Sequence, residues 1–203
     1  MKFGPLPAAE AAGAILAHSL PVGGKSFKKG RRLSAEDVEA LLAAGIGEVI
    51  CARLEADDLH EDAAATAIAR AVMGPGLTAT AAFTGRCNLI VEERGLLVVD
   101  RERLDTLNEV HEATTLATLD PYEIVEPKQM AATIKIIPFA APKAAVEACI
   151  AATRGEPLVR VAPFRAKRVG LVQTTLPGLK PSILDKTLEA LNRRLAALDC
   201  PPA

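Results

Sequence analysis

The chain has 203 residues, half of them apolar, and a formal net charge of -1, so it is long enough to bury a core yet offers no global positive field for nucleic acid or an anionic membrane. Only 3% is aromatic, with no Trp, so the core must be built from Ala, Leu, Val and Ile. Cys51, Cys87, Cys149 and Cys200 form no C-x-x-C pair, which leaves a zinc ribbon unsupported and makes a reduced, cytoplasmic setting the expectation; no run approaches the ~20 apolar residues of a membrane span.

In chain order, residues 8–18 read as a helical turn passing into a strand at 14–17, and Pro21-Val22-Gly23-Gly24 as a turn. Lys25, Lys28, Lys29, Arg31 and Arg32 then crowd a basic hairpin or loop around Gly30, for which a solvated turn is the blander reading and an anion site the sharper one. Ser34 with Asp37 three residues on predicts a capping box, Val38, Leu41 and Leu42 supply an apolar helix face, and Gly45 is placed to end it before a strand over 46–52. The acidic stretch 57–62 admits a divalent-cation site, but the better fit is Asp58 as N-cap with Glu61 at the third helical position, opening an Ala-rich helix that stops at Gly74-Pro75-Gly76.

Strands are predicted over 78–83 and 87–92, joined through Thr84-Gly85-Arg86. Arg86 and Asn88 at this turn are candidate phosphate or carboxylate ligands, since an arginine presents a fork of donors; a hairpin corner with exposed polar residues is the equal alternative. Residues 95–99 read as a buried strand, Asp100 as the cap of a helix carrying Leu104, Leu107 and Val110, and 115–119, 122–125 and 132–137 as further strands. A helix over 143–153 and a strand over 156–161 follow. Short strands mixed with modest helices predict an α+β domain over residues 1–165.

Residues 166–203 read differently. The run 169–172 suits a strand of a parallel sheet buried on both faces, Pro177-Gly178 marks a turn, and Leu184, Leu188, Leu191, Leu195 and Leu198 recur on one helical face. One strand and one helix cannot cover such a sheet, so this unit is expected to be the start of an incomplete α/β domain. Ligands in such sheets gather beyond the carboxyl end of the strand and at the helix amino terminus, which singles out Thr174, Thr175, Gly178, Lys180, Ser182, Asp185, Lys186 and Thr187. Ser182 and Asp185 equally fit a capping pattern, and Lys180 and Lys186 a solvated surface. No dinucleotide, Walker A, zinc-protease or nucleophile-elbow motif is present, and His18, His60 and His111 sit in no ligand or triad pattern.

Four strings carry a family likeness: Lys2-Phe3-Gly4-Pro5 with 12–18, residues 28–37 leading to Ala44-Gly45-Ile46, residues 83–89, and residues 132–138. In these the chain resembles the molybdopterin-binding proteins of molybdenum cofactor biosynthesis, in particular the amino-terminal part of a bacterial protein in which such a region precedes a nucleotidyltransferase domain of the molybdenum cofactor cytidylyltransferase type. Residues 169–172, Thr174-Thr175 and Asp185-Lys186-Thr187 match the opening of the molybdopterin-binding fold. The resemblance implies that the chain holds molybdopterin or its nucleotide, with Mg²⁺ as a bridging ion, and presents it to a fused or partner nucleotidyltransferase rather than catalysing alone. The competing expectation is a non-catalytic α+β module that forms interactions or a homo-oligomer and binds no cofactor.

Overall fold

The computed structural model describes residues 1–198 and 200. It contains β1 (Lys2–Pro7), a 3-10 turn (Ala8–Glu10), β2 (Ile15–Leu16), β3 (Leu20–Val22), β4 (Lys25–Phe27), α1 (Ala35–Ala43), β5 (Glu48–Arg53), β6 (Asp58–His60), α2 (Glu61–Val72), β7 (Leu77–Ala79) and β8 (Arg86–Val91). β9 (Gly95–Val99), α3 (Arg101–Glu109), β10 (Thr114–Thr118), β11 (Ile124–Val125), β12 (Met130–Ile136), β13 (Ala140–Pro142), α4 (Lys143–Ala152), β14 (Val159–Pro163) and α5 (Pro181–Ala196) complete it. The class is α+β: the sheets are antiparallel throughout, in the orders β1-β5-β2, β10-β12-β8-β7 and β11-β9-β14, with the pairs β3-β4 and β13-β6.

Two hydrophobic cores form within the first 163 residues. The smaller joins Leu16, Val22, Phe27, Leu33, Leu41, Val49 and Cys51 from β2–β5, α1 and the loop before it. Its helix starts as its capping residues dictate: Ser34 Oγ accepts from the Asp37 N–H at 3.2 Å, and Asp37 Oδ2 accepts from the Ser34 N–H at 3.1 Å. Asp37 also takes a two-pronged contact from Arg31, 2.8 Å at each oxygen, which ties the basic loop to the helix start. Gly45, at φ +73°, closes the helix where a side chain would be strained.

The larger core takes alternate residues of β8 (Cys87, Leu89, Val91) and β12 (Ala132, Ile134, Ile136), the period-two signature of a half-buried strand. Over them lies α2, whose inward face, Ala64, Ala65, Ile68, Ala69 and Val72, is mostly alanine and so lets the helix sit close to the sheet. Asp100 caps α3 by accepting from the Arg103 N–H at 3.1 Å.

Three expectations are corrected. α2 begins at Glu61 with His60 as its N-cap, because residues 58–60 are drawn into strand pairing with β13; Asp58 instead accepts from the Glu55 N–H at 2.8 Å and pairs with the Met1 ammonium at 2.7 Å. Residues 169–172 make no strand beyond a single bridge at Val169: Val172 is 90% exposed and Leu171 39%, and none of the named sheets among the described residues includes them. α5 starts with Pro181 at its first position and Lys180 as N-cap, so Ser182 lies inside the helix and the S-x-x-D cap is not formed; Pro suits that position because its missing N–H is an orphan there anyway. None of the α5 residues is buried. Its end is tethered by Arg94, which donates to the Ala197 carbonyl at 2.5 Å, and by Cys200 Sγ, which accepts from the Lys167 N–H at 3.2 Å. Among the described residues no helix is long and apolar enough to cross a membrane.

Candidate functional site

A cleft of about 380 Å³ opens where the two cores meet, within the range of small-molecule sites. From the smaller core comes the loop between β4 and α1. Gly30, at φ +84°, turns it sharply, the Gly30 N–H donates to the Leu16 carbonyl at 2.8 Å, and Ser19 Oγ accepts from the Lys29 N–H at 2.9 Å. Lys29 is thereby projected over the Phe139 ring, its ammonium 5.6 Å from the centroid.

From the larger core come Glu61 at the start of α2, Thr84 in the β7–β8 turn, Lys135 on β12, and Ile137, Pro138 and Phe139 beyond it. Lys135 Nζ donates to the Thr84 carbonyl at 2.6 Å and lies 3.9 Å from Glu61 Oε2. Thr84 and Gly85 both take positive φ, 49° and 72°. Gly85 is clamped on both sides: its N–H donates to Asp62 Oδ1 at 2.7 Å and its carbonyl accepts from the Ile136 N–H at 2.7 Å. A Cβ here would lie 2.5 Å from Glu61 Oε2 and 2.8 Å from the Ile136 carbonyl oxygen, so this wall of the cleft has room for glycine alone.

Glu61 is buried. Desolvation pushes its carboxyl above the ordinary carboxylate value; Lys135, His60 and Lys29 pull the other way, while Asp62 adds to the rise. A buried carboxyl beside two ammonium groups in a cleft is the arrangement from which proton-handling and anion-binding sites are made. Lys29 and Lys135 line the same small volume as Glu61, and the Phe139 ring and Ile137 add an apolar surface beside them.

The residues expected from sequence fall elsewhere. Arg86 starts β8 opposite Lys135 but stands exposed outside the cleft lining, next to the turn that contributes Thr84. Asn88 is a structural tie: its Oδ1 accepts from Thr133 Oγ1 at 2.8 Å, fastening β8 to β12. Thr174, Thr175, Gly178, Lys180, Ser182 and Asp185 lie exposed along the segment leading to α5 and in its first turns. Lys186 and Thr187 line a shallow groove of about 440 Å³ with Leu171, Ile183 and Leu191, and the Thr187 hydroxyl is spent on the Ile183 carbonyl at 2.8 Å. None of these residues lines the cleft between the cores.

Of the cleft residues, Lys29 and Gly30 belong to the basic loop that its charge makes conspicuous in the sequence. Glu61 reads there as a helix-capping residue, Lys135 lies in the family-like string 132–138 with no role assigned to it, and Phe139 belongs to no motif. One signal for Lys135 is legible: it is the lone charge in the apolar run 131–137.

The fold is thus a two-core α+β chain with a basic cleft at the junction of the cores. Residues 5–53, which span β1 to β5 and so the smaller core, are similar to a domain of unknown function, DUF8806. No curated protein and no solved structure matches the chain.

Proposed function

We propose that the cleft between the cores holds the oxyanion of a small molecule, and that the molecule is molybdopterin or its nucleotide form, kept in the cytoplasm for a nucleotidyltransferase in the same chain or a partner. The observation that carries the reading is the convergence of Lys29 and Lys135, from separate cores, on one small volume lined also by Gly30 and Thr84. The pterin identity rests on the resemblance, whose strings at 28–37, 83–89 and 132–138 hold Lys29, Thr84 and Lys135. Mg²⁺ would arrive on the ligand's phosphate oxygens, since no cluster of three or more His, Cys, Asp or Glu able to hold a metal occurs among the described residues.

Thermal unfolding with molybdopterin, and with sulfate as a bare oxyanion, tests the reading. A ligand at a hundred times its Kd stabilises the native state by about 2.7 kcal/mol. For a chain of this size that raises the melting temperature by about 5–10 °C. Lys29→Ala and Lys135→Ala should each abolish the rise, and a wild-type chain that neither ligand stabilises refutes the reading. A second reading, an α+β interaction module, draws on α5, an amphipathic helix with no buried residue. A concentration-dependent mass in sedimentation, with no response to either ligand, would select it.

A further inference from the structure

Among the described residues Glu61 is the one carboxylate lining the cleft, and its place there is hard to reconcile with simple anion binding. Its side chain is 11% exposed and 3.9 Å from Lys135 Nζ, the same ammonium that an incoming oxyanion would engage. The titratable groups facing it are Lys135 on β12, Lys29 on the loop after β4, His60 at the end of β6, and Asp62 next to it on α2. Asp62 is occupied by the Gly85 N–H, and His60 Nδ1 accepts from the Asp62 N–H at 3.3 Å. The lysines therefore compensate both the resident carboxylate and any arriving anion. Two negative charges in one small, partly dry volume cannot both stay ionised cheaply, as in any pair of acids that share a site.

We propose that the cleft takes up an oxyanion and a proton together, the proton lodging on Glu61, so that its neutral carboxyl becomes an O–H donor to the anion that Lys29 and Lys135 hold. This rests on the anion-binding reading of the same cleft, and it makes that cleft a proton-coupled site. Its ligand class is a small oxyanion whose binding tightens as the pH falls. Burial already biases Glu61 towards its protonated form, so the coupling needs only the loss of the Lys135 compensation.

The test is calorimetric titration of the full chain with sulfate, an anion that does not itself titrate near neutrality. It is run from about pH 6 to about pH 8, in two buffers of different ionisation enthalpy. The expected result is uptake of about one proton per sulfate and an affinity that falls about tenfold per pH unit across the range where Glu61 is ionised in the free chain. Glu61→Gln should bind sulfate with an affinity independent of pH and with no proton uptake. The two-buffer comparison on the wild type stands even if that variant does not fold. Sulfate binding without proton uptake overturns the coupling and leaves the anion site intact. pH dependence that survives in Glu61→Gln places the proton on a group other than Glu61 and likewise overturns it. Absence of sulfate binding at every pH removes the anion reading itself.

Discussion

Replacing Gly85 by alanine separates backbone strain from steric exclusion at the wall of the cleft. The residue sits at φ +72°, where a non-glycine residue costs about 1–2 kcal/mol. The new methyl would also meet Glu61 Oε2 at 2.5 Å and the Ile136 carbonyl oxygen at 2.8 Å. The carboxylate can swing away, but the carbonyl belongs to β12, and Gly85 is itself held by two 2.7 Å hydrogen bonds, to Asp62 and from Ile136. Overpacking of this kind costs about 1–3 kcal/mol, which brings the total to about 2–5 kcal/mol. The melting temperature should then drop by roughly 4–20 °C.

Gly24→Ala is the control. Its φ is +81°, yet nothing lies within 4 Å of where its methyl group would sit, so it carries the conformational cost alone, about 1–2 kcal/mol. Both substitutions restrict the unfolded chain equally, so that contribution cancels in the comparison. Urea unfolding of the two variants measures the difference directly. If Gly85→Ala is within about 0.5 kcal/mol of Gly24→Ala, a margin of the size expected between independent measurements, the reasoning about the closed wall is wrong.

Two further outcomes follow from the packing and the charges. Leu89→Ala, at a position with 0% exposure in the centre of β8, should lose about 2–5 kcal/mol in urea unfolding, while Val172→Ala, 90% exposed, should change stability by less than about 0.5 kcal/mol; a large loss at Val172 would restore the buried strand expected there. Asp37 is held below its ordinary carboxylate value, chiefly by the hydrogen bonds from Arg31, with the Ser34 N–H helping. A depressed carboxylate stabilises the fold fully above its unfolded value of about 3.9 and loses that contribution as the pH falls through the folded value. Asp37→Asn should therefore be less stable than wild type at neutral pH, with the gap closing in acid, as read from urea midpoints; a gap independent of pH would show that the Arg31 pair is not the source.

How far the fold is legible in the sequence depends on the range of the interaction. The start of α1 is legible because Ser34 and Asp37 satisfy each other's backbone across three residues, and the cap of α3 because Asp100 does the same for Arg103. β8, β9 and β12 announce themselves by apolar runs or alternation, and Gly74-Pro75-Gly76 by its inability to continue a helix. The start of α2 is displaced from its expected position because β13 claims residues 58–60, a pairing between segments some eighty residues apart. Residues 169–172 have the composition of a strand, but a strand exists only where a neighbour's backbone completes its hydrogen bonds residue after residue, and here only Val169 is bridged while no named sheet among the described residues includes the segment.

The amino-acid sequence by itself determined the α+β class, the caps of α1 and α3 and the strands whose periodicity marks one buried face, since each is settled by residues within a few positions of one another. Only the tertiary structure decided that the first 163 residues hold two cores and that Lys29, Glu61, Thr84 and Lys135 share a cleft. A charged residue's chemistry is written in its type, but its neighbours, and so its electrostatics, depend on how distant segments are brought together by burial of the apolar faces between them.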